Sequence, residues 1–218
     1  MIERRSVFVA GGTGYLGRAV IPRLLERGHC VNALVRPGSE RRLPPGATAV
    51  PGNALDRRSF DSKVRPCDTY LQLVGVAHPS PSKAEEFRRI DLASAVASAQ
   101  AAREAGVAHF VYLSVAQPAP AMKAYVEARA EAEAAIRDTG LNATFLRPWY
   151  VLGPGHRWPA VLWPGYWLAE RFGPTRETAR RIGLVTLRQM TAALVQAVEN
   201  PAAGIRVVEV PAIRRARL

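Results

Sequence analysis

The sequence predicts an α/β protein: a doubly wound parallel sheet, with residues 1–150 as its core and residues 151–218 as a small C-terminal extension. Three observations predict it. Short apolar segments alternate with helix-like segments along most of the chain. Those apolar segments lack polar alternation, the mark of strands covered on both faces. The first of them runs straight into a glycine-rich turn that opens a helix.

The elements follow in order. Residues 6–10 form the first strand and 15–27 the first helix, which stops at Gly28. A second strand at 31–35 ends in Arg36-Pro37-Gly38, and a third at 48–50 precedes Pro51-Gly52-Asn53. A short helix is expected within 55–64, with Asp56 near its start, and a fourth strand over 69–76. The alanine-rich stretch 85–104 predicts one long helix closed by Gly106, the residue type that suits a left-handed C-cap. A fifth strand at 109–115, a helix at 122–138 closed by Gly140 and a sixth strand at 143–146 complete the core. Beyond it, 187–199 reads as a helix and 206–210 as a last strand. Right-handed crossovers wind such a sheet, and ligands then bind at the carboxyl ends of its strands.

The turn Gly11-Gly12-Thr13-Gly14-Tyr15-Leu16-Gly17 carries the most specific chemistry. Helix N–H groups aimed at open space, together with the helix dipole, suit a pyrophosphate. Gly11 permits the tight turn, Gly14 leaves room for the phosphate and Gly17 lets helix and strand pack closely. Arg36 lies 19 residues after Gly17, where an acidic residue would hold a ribose 2′-hydroxyl. A guanidinium there favours a 2′-phosphate, so NADP is expected over NAD, with NAD still open.

Composition bounds the alternatives. The 218 residues suffice to bury a core without disulfide or metal staples, and no metal site is expected. Cys30 and Cys67 form no C-x-x-C pair and read as reduced, semi-buried thiols, which points to the cytoplasm. The net charge of +12 is carried almost wholly by arginine in scattered pairs, with no block resembling a basic recognition helix. Sequence-specific nucleic-acid binding is therefore not expected. The longest apolar run, 160–169, is interrupted by Pro164 and Gly165 and is too short to span a bilayer. No signal peptide is expected, because the first strand begins within six residues of Met1.

Several motifs together resemble a family. They are Gly11-x-x-Gly14-x-x-Gly17, Gly52-Asn53-Ala54-Leu55-Asp56, Leu73-Val74-Gly75-Val76-Ala77-His78, Phe110-Val111-Tyr112-Leu113-Ser114, and Leu146-Arg147-Pro148 followed by Val151-Leu152-Gly153-Pro154-Gly155. With Leu184-Val185-Thr186-Leu187 and Met190 they resemble the extended and atypical branch of the short-chain dehydrogenase/reductase superfamily. This branch includes epimerase/dehydratase-like, NmrA-like and complex I accessory-subunit-like members.

The resemblance implies a Rossmann fold holding NAD(P) through the glycine turn, Thr13, Tyr15 and Leu16 included. Asn53 and Ala54 stand on its adenine side, Val74 and Gly75 after the fourth strand, and Pro148, Tyr150 and Val151 near the nicotinamide. It also implies a catalytic tyrosine with a lysine four residues later; the matching pair here is Tyr125 and Arg129. Positions i and i+4 share a helix face, and a cation there is expected to lower the phenol pKa. Ser114 falls in the strand that carries the family's helper serine, although the helper position of the epimerase-like members is Ala116.

All four tryptophans lie between 149 and 167. Tyr150, His156, Trp158, Trp163 and Trp167 are expected either to wall a planar substrate such as a quinone or aromatic carbonyl compound, or to pack on the sheet. Membrane-surface docking is a third option for this segment. The expected function is an NADP-preferring reductase of a small aromatic or quinone-like substrate. The alternative is a non-catalytic NAD(P)-binding redox sensor or assembly partner. The oligomeric state is left open.

Overall fold

In the computed structural model, residues 3–119, 121–155 and 173–218 are described. For residues 173–176 this covers the backbone alone. Seven parallel strands form one sheet in the order β3-β2-β1-β4-β5-β6-β9. They are β1 (Ser6–Ala10), β2 (Cys30–Val35), β3 (Thr48–Pro51), β4 (Thr69–Gln72), β5 (His109–Leu113), β6 (Ala143–Arg147) and β9 (Ile205–Glu209). The order reverses at β1 and β4, the switch point where a doubly wound sheet opens its ligand crevice.

Alternation along each strand feeds two apolar layers. Val7 and Val9 of β1 pack with Val20, Ile21 and Leu24 of α1 (Tyr15–Glu26). The same layer contains Met190, Leu194 and Val198 of α6 (Leu187–Glu199) and Ile213 of α7 (Val210–Arg215). Phe8 and Ala10 face the other way. Their layer holds Ala95, Ala99 and Ala102 of α3 (Ala93–Ala105) and Ala132 and Ile136 of α4 (Lys123–Asp138). Gly106, at φ 71°, caps α3 in the left-handed conformation that its lack of a Cβ permits.

Several local expectations change. The fourth strand stops at Gln72, not 76. Its β1 partner has by then turned into the glycine loop, so side chains take over: Gln72 Oε1 accepts the Val74 N–H and Asp91 Oδ2 the Val76 N–H. In place of a short helix within 55–64 there are two single 3₁₀ turns, Arg57–Ser59 and Asp61–Lys63. There the Asp56 carboxylate and the Ser59 hydroxyl bond local backbone groups and compete with the helical ladder.

The long helix at 85–104 is three pieces: a short α2 (Ala84–Glu86), a π-helical segment Phe87–Leu92, and α3. The wider π turn carries Phe87 and Asp91 inward, where both are buried. Cys30 is exposed, with an Arg4 amino nitrogen 2.9 Å from its sulfur, while burial pushes the half-buried Cys67 thiol up to about 12.

Beyond the core, β7 (Tyr150–Leu152) pairs in parallel with β8 (Leu184–Thr186) to make a second, two-stranded sheet. Between them runs α5 (Gly173–Arg181). Three-residue strands are too short to show a periodicity, so this pair left no mark in the sequence pattern. Thr186 and Gln189 form a reciprocal capping box that starts α6 at the end of β8. No helix among the described residues is long and apolar enough to cross a membrane.

Candidate nucleotide and catalytic site

The glycine turn is built by close backbone approach. Gly11 sits at φ +89°, and a Cβ there would lie 2.8 Å from the Leu73 carbonyl carbon, where β4 ends. A Cβ on Gly17 would come within 2.4 Å of the Gly11 carbonyl oxygen and 2.6 Å of Gly12 Cα. Both contacts are with backbone, which cannot swing away. The Gly14 N–H donates to the Gly11 carbonyl at 3.0 Å and closes the turn. Gly14 is also the N-cap of α1; it brings no side-chain cap, and no acid stands in the first turn. The first-turn N–H groups of Tyr15, Leu16 and Gly17 therefore present an uncompensated positive helix end beside the half-exposed Thr13.

The chain leaving β7 passes directly over this helix start. A Cβ on Gly153 would fall 2.1 Å from Tyr15 Oη. Tyr150 and Val151 on β7 are half-buried, and Trp149 meets Tyr150 edge to face at 5.8 Å. Pro148 is buried, and its carbonyl accepts the Ala116 N–H at 2.9 Å. Trp158, Trp163, Trp167 and His156 of the tryptophan-rich segment lie outside the described residues.

On the other side of the switch point, Arg36 is exposed at the end of β2 and pairs with no carboxylate among the described residues. Asn53 uses its Oδ1 to accept the Leu55 N–H at 3.1 Å, and its own N–H donates to Ser59 Oγ at 2.8 Å. Ala54 packs at the margin of the core beside it. The structure thus gathers Gly11–Gly17, Val74 and Gly75 at the adjacent carboxyl ends of β1 and β4. Arg36 and Asn53 stand beyond β2 and β3, and Pro148, Tyr150 and Val151 beyond β6.

The inner face of α4 carries Tyr125, Arg129 and Glu133 at successive turns. Tyr125 is half-buried, its ring 4.9 Å from that of Phe87. Burial pushes the Tyr125 phenol above its ordinary value; Arg129 pulls it down and Asp91 pushes it up, and the net direction is upward. The lowered phenol expected from the sequence is thus reversed, because burial outweighs the cation.

Arg129 is buried. It pairs with Asp91 at 2.6 Å, donates to the Leu113 carbonyl at 2.5 Å, and lies over both the Tyr125 and Tyr112 rings, 5.3 and 5.6 Å from their centroids. A Cβ on Gly75 would lie 2.3 Å from an Arg129 amino nitrogen, so a side chain there would have to displace the guanidinium.

Ser114 is also buried, and its hydroxyl donates to Glu133 Oε1 at 2.6 Å. The same carboxylate accepts the Gln117 amide at 2.8 Å and both arms of Arg147, at 2.9 and 2.6 Å. The sequence reading missed Asp91 and Glu133, and it placed Arg147 in the Arg147-Pro148 motif without assigning it a role. Glu133 left a signal, eight residues after Tyr125 on one helical stripe. Asp91 left none, because the π-helical turn shifts the phase on which helical spacing depends.

A family profile described as NAD(P)H-binding matches residues 11–157. The chain is 27% identical over 216 residues to a ceramide reductase of Caulobacter vibrioides (strain NA1000 / CB15N), covering 97% of this chain and 66% of that protein. It is 34% identical over 158 residues to the chloroplastic divinyl chlorophyllide a 8-vinyl-reductase of Oryza sativa subsp. indica, covering 66% of this chain and 39% of that one. The chain therefore spans less than two thirds of the length of both relatives. Among solved structures, the UDP-glucose 4-epimerase of Thermus thermophilus in complex with NAD superposes with a TM-score of 0.68 at 18% identity, covering 96% of this chain and 81% of that one.

Proposed function

Since the chain belongs to the NAD(P)H-binding family within the short-chain dehydrogenase/reductase superfamily, we propose that it is an NADP-preferring reductase of a small aromatic or quinone-like substrate. The observation that carries the reading is the uncapped start of α1 against the glycine turn, with Tyr125 of α4 on the same side of the sheet as the loop after β4. Relatives named as reductases of ceramide and of a chlorophyllide vinyl group support the reaction class.

The residues divide the work. Gly11, Thr13, Gly14, Tyr15, Leu16 and Gly17 receive the pyrophosphate, and Arg36 receives a 2′-phosphate that NAD lacks. Asn53 and Ala54 border the adenine; Val74, Gly75, Pro148, Tyr150 and Val151 border the nicotinamide. When bound, the reduced nicotinamide supplies a hydride to the substrate carbon. Tyr125 gives its hydroxyl proton to the substrate oxygen and regains one from solvent. Arg129 holds the Tyr125 ring. Ser114, its proton committed to Glu133, positions the loop after β5 and does not itself transfer a proton. The free cysteines support a reducing, cytoplasmic setting.

The test is NADPH oxidation by the purified protein across quinones, flavins and aromatic carbonyl compounds, repeated with Tyr125→Phe. Turnover should fall while NADPH affinity holds. An unchanged rate removes Tyr125 from the reaction. A second reading, a nucleotide-binding sensor without turnover, is favoured by the locked Arg129 and the committed Ser114 hydroxyl. Tight NADPH binding with no oxidation of any acceptor would decide for the sensor.

A further inference from the structure

A cation four residues after a tyrosine lowers the phenol pKa when it faces the hydroxyl. Arg129 lies over the face of the Tyr125 ring and still pulls the phenol down. Asp91 is what holds it there. One Asp91 oxygen pairs with Arg129 at 2.6 Å, and the other accepts the Val76 N–H at 2.8 Å. Asp91 is fully buried, so its charge is compensated only by these partners. It reaches them because the π turn rotates it off the face of a regular helix and toward α4. A single carboxylate therefore ties together the π segment, the loop carrying Gly75 and the helix carrying Tyr125.

We propose that Asp91 is a positioning residue that offsets the charge of Arg129, weakening its pull on the Tyr125 phenol and holding it as a rigid platform beneath the Tyr125 ring. The phenol is then kept protonated, suited to giving a proton and unsuited to taking one. The charged and titratable groups around it are Arg129 on α4, Asp91 on the π segment, Glu86 beside Asp91 on α2, and the Tyr112 phenol from β5, itself pushed up to about 12 by burial. Removing the Asp91 charge leaves Arg129 as the dominant neighbour.

The consequence for turnover rests on the reading of Tyr125 as proton donor, but the linkage itself does not, so it is tested on the nucleotide-free protein. Tyrosinate absorbance in the near ultraviolet is followed against pH for Asp91→Asn, with Asp91→Asn/Tyr125→Phe subtracted to isolate Tyr125 among the chain's six tyrosines. Circular dichroism confirms the fold at each pH. The Tyr125 midpoint is expected to fall by about one pH unit relative to the parent, measured against its own Tyr125→Phe variant. An unmoved midpoint in folded protein overturns the proposal.

Where Asp91→Asn does not fold, Asp91→Ser, which keeps a small polar group beside Arg129, is titrated against Asp91→Ser/Tyr125→Phe in the same way. The Tyr125 midpoint must again fall below that of the parent; an unmoved midpoint overturns the proposal. A shifted midpoint together with a Tyr125→Phe protein that turns over normally would sink the reductase assignment of Tyr125 and leave the linkage standing.

Discussion

The turn after β1 and the inner face of α4 build their geometry in opposite ways. In the turn, backbone meets backbone: Gly11 against Leu73, Gly17 against Gly11 and Gly12, all within a few residues of sequence or one strand away. On α4, each functional side chain takes its environment from a distant element. Arg129 is set by Asp91 of the π segment and the Leu113 carbonyl, and Ser114 by Glu133 across the helix–sheet interface. A backbone-built site depends on the absence of side chains. A side-chain-built site depends on partners that must themselves be held in place.

Four substitutions probe that contrast, beginning with the most damaging. Gly17→Val places branched carbon against fixed backbone, so NADPH binding should vanish from calorimetry up to about 1 mM. Normal binding would show that the turn is less constrained than its contacts indicate. Next, Glu133→Ala strips Arg147 of its bidentate partner and leaves the Ser114 and Gln117 donors unmatched. Urea unfolding should register a loss of about 3 kcal/mol. Ser114→Ala, which leaves the carboxylate its other donors, should cost only about 1 kcal/mol. Equal losses would mean that Glu133 is not the hub of this network. Arg36→Ala acts on binding and not on stability: NADPH affinity should drop about tenfold, roughly 1.4 kcal/mol, with NADH affinity unchanged. A parallel loss for both nucleotides would remove Arg36 from 2′-phosphate recognition.

The same contrast explains what the sequence showed and what it hid. Strand and helix order through residue 147 was legible, because apolar runs and glycine stops are local signals. So were the positions of Gly11, Gly14 and Gly17, whose roles follow from the turn alone. The state of Tyr125 was not. A helical spacing shows that Arg129 lies near it, but not that a carboxylate from the π segment claims the guanidinium. The sequence likewise placed Ser114 in the helper strand without showing that Glu133 accepts its hydroxyl. The short β7 and β8 were invisible for a different reason: each is held by the other, and neither repeats long enough to leave a pattern.

That pair has a consequence for how such a protein changes over time. Because Leu152 and Thr186 are clamped as neighbours, everything between them is a closed excursion whose ends are already joined. Lengthening a loop so anchored carries a small entropic penalty, about 0.6 kcal/mol for each doubling. Length changes between β7 and β8 are therefore expected to leave the seven-stranded sheet intact.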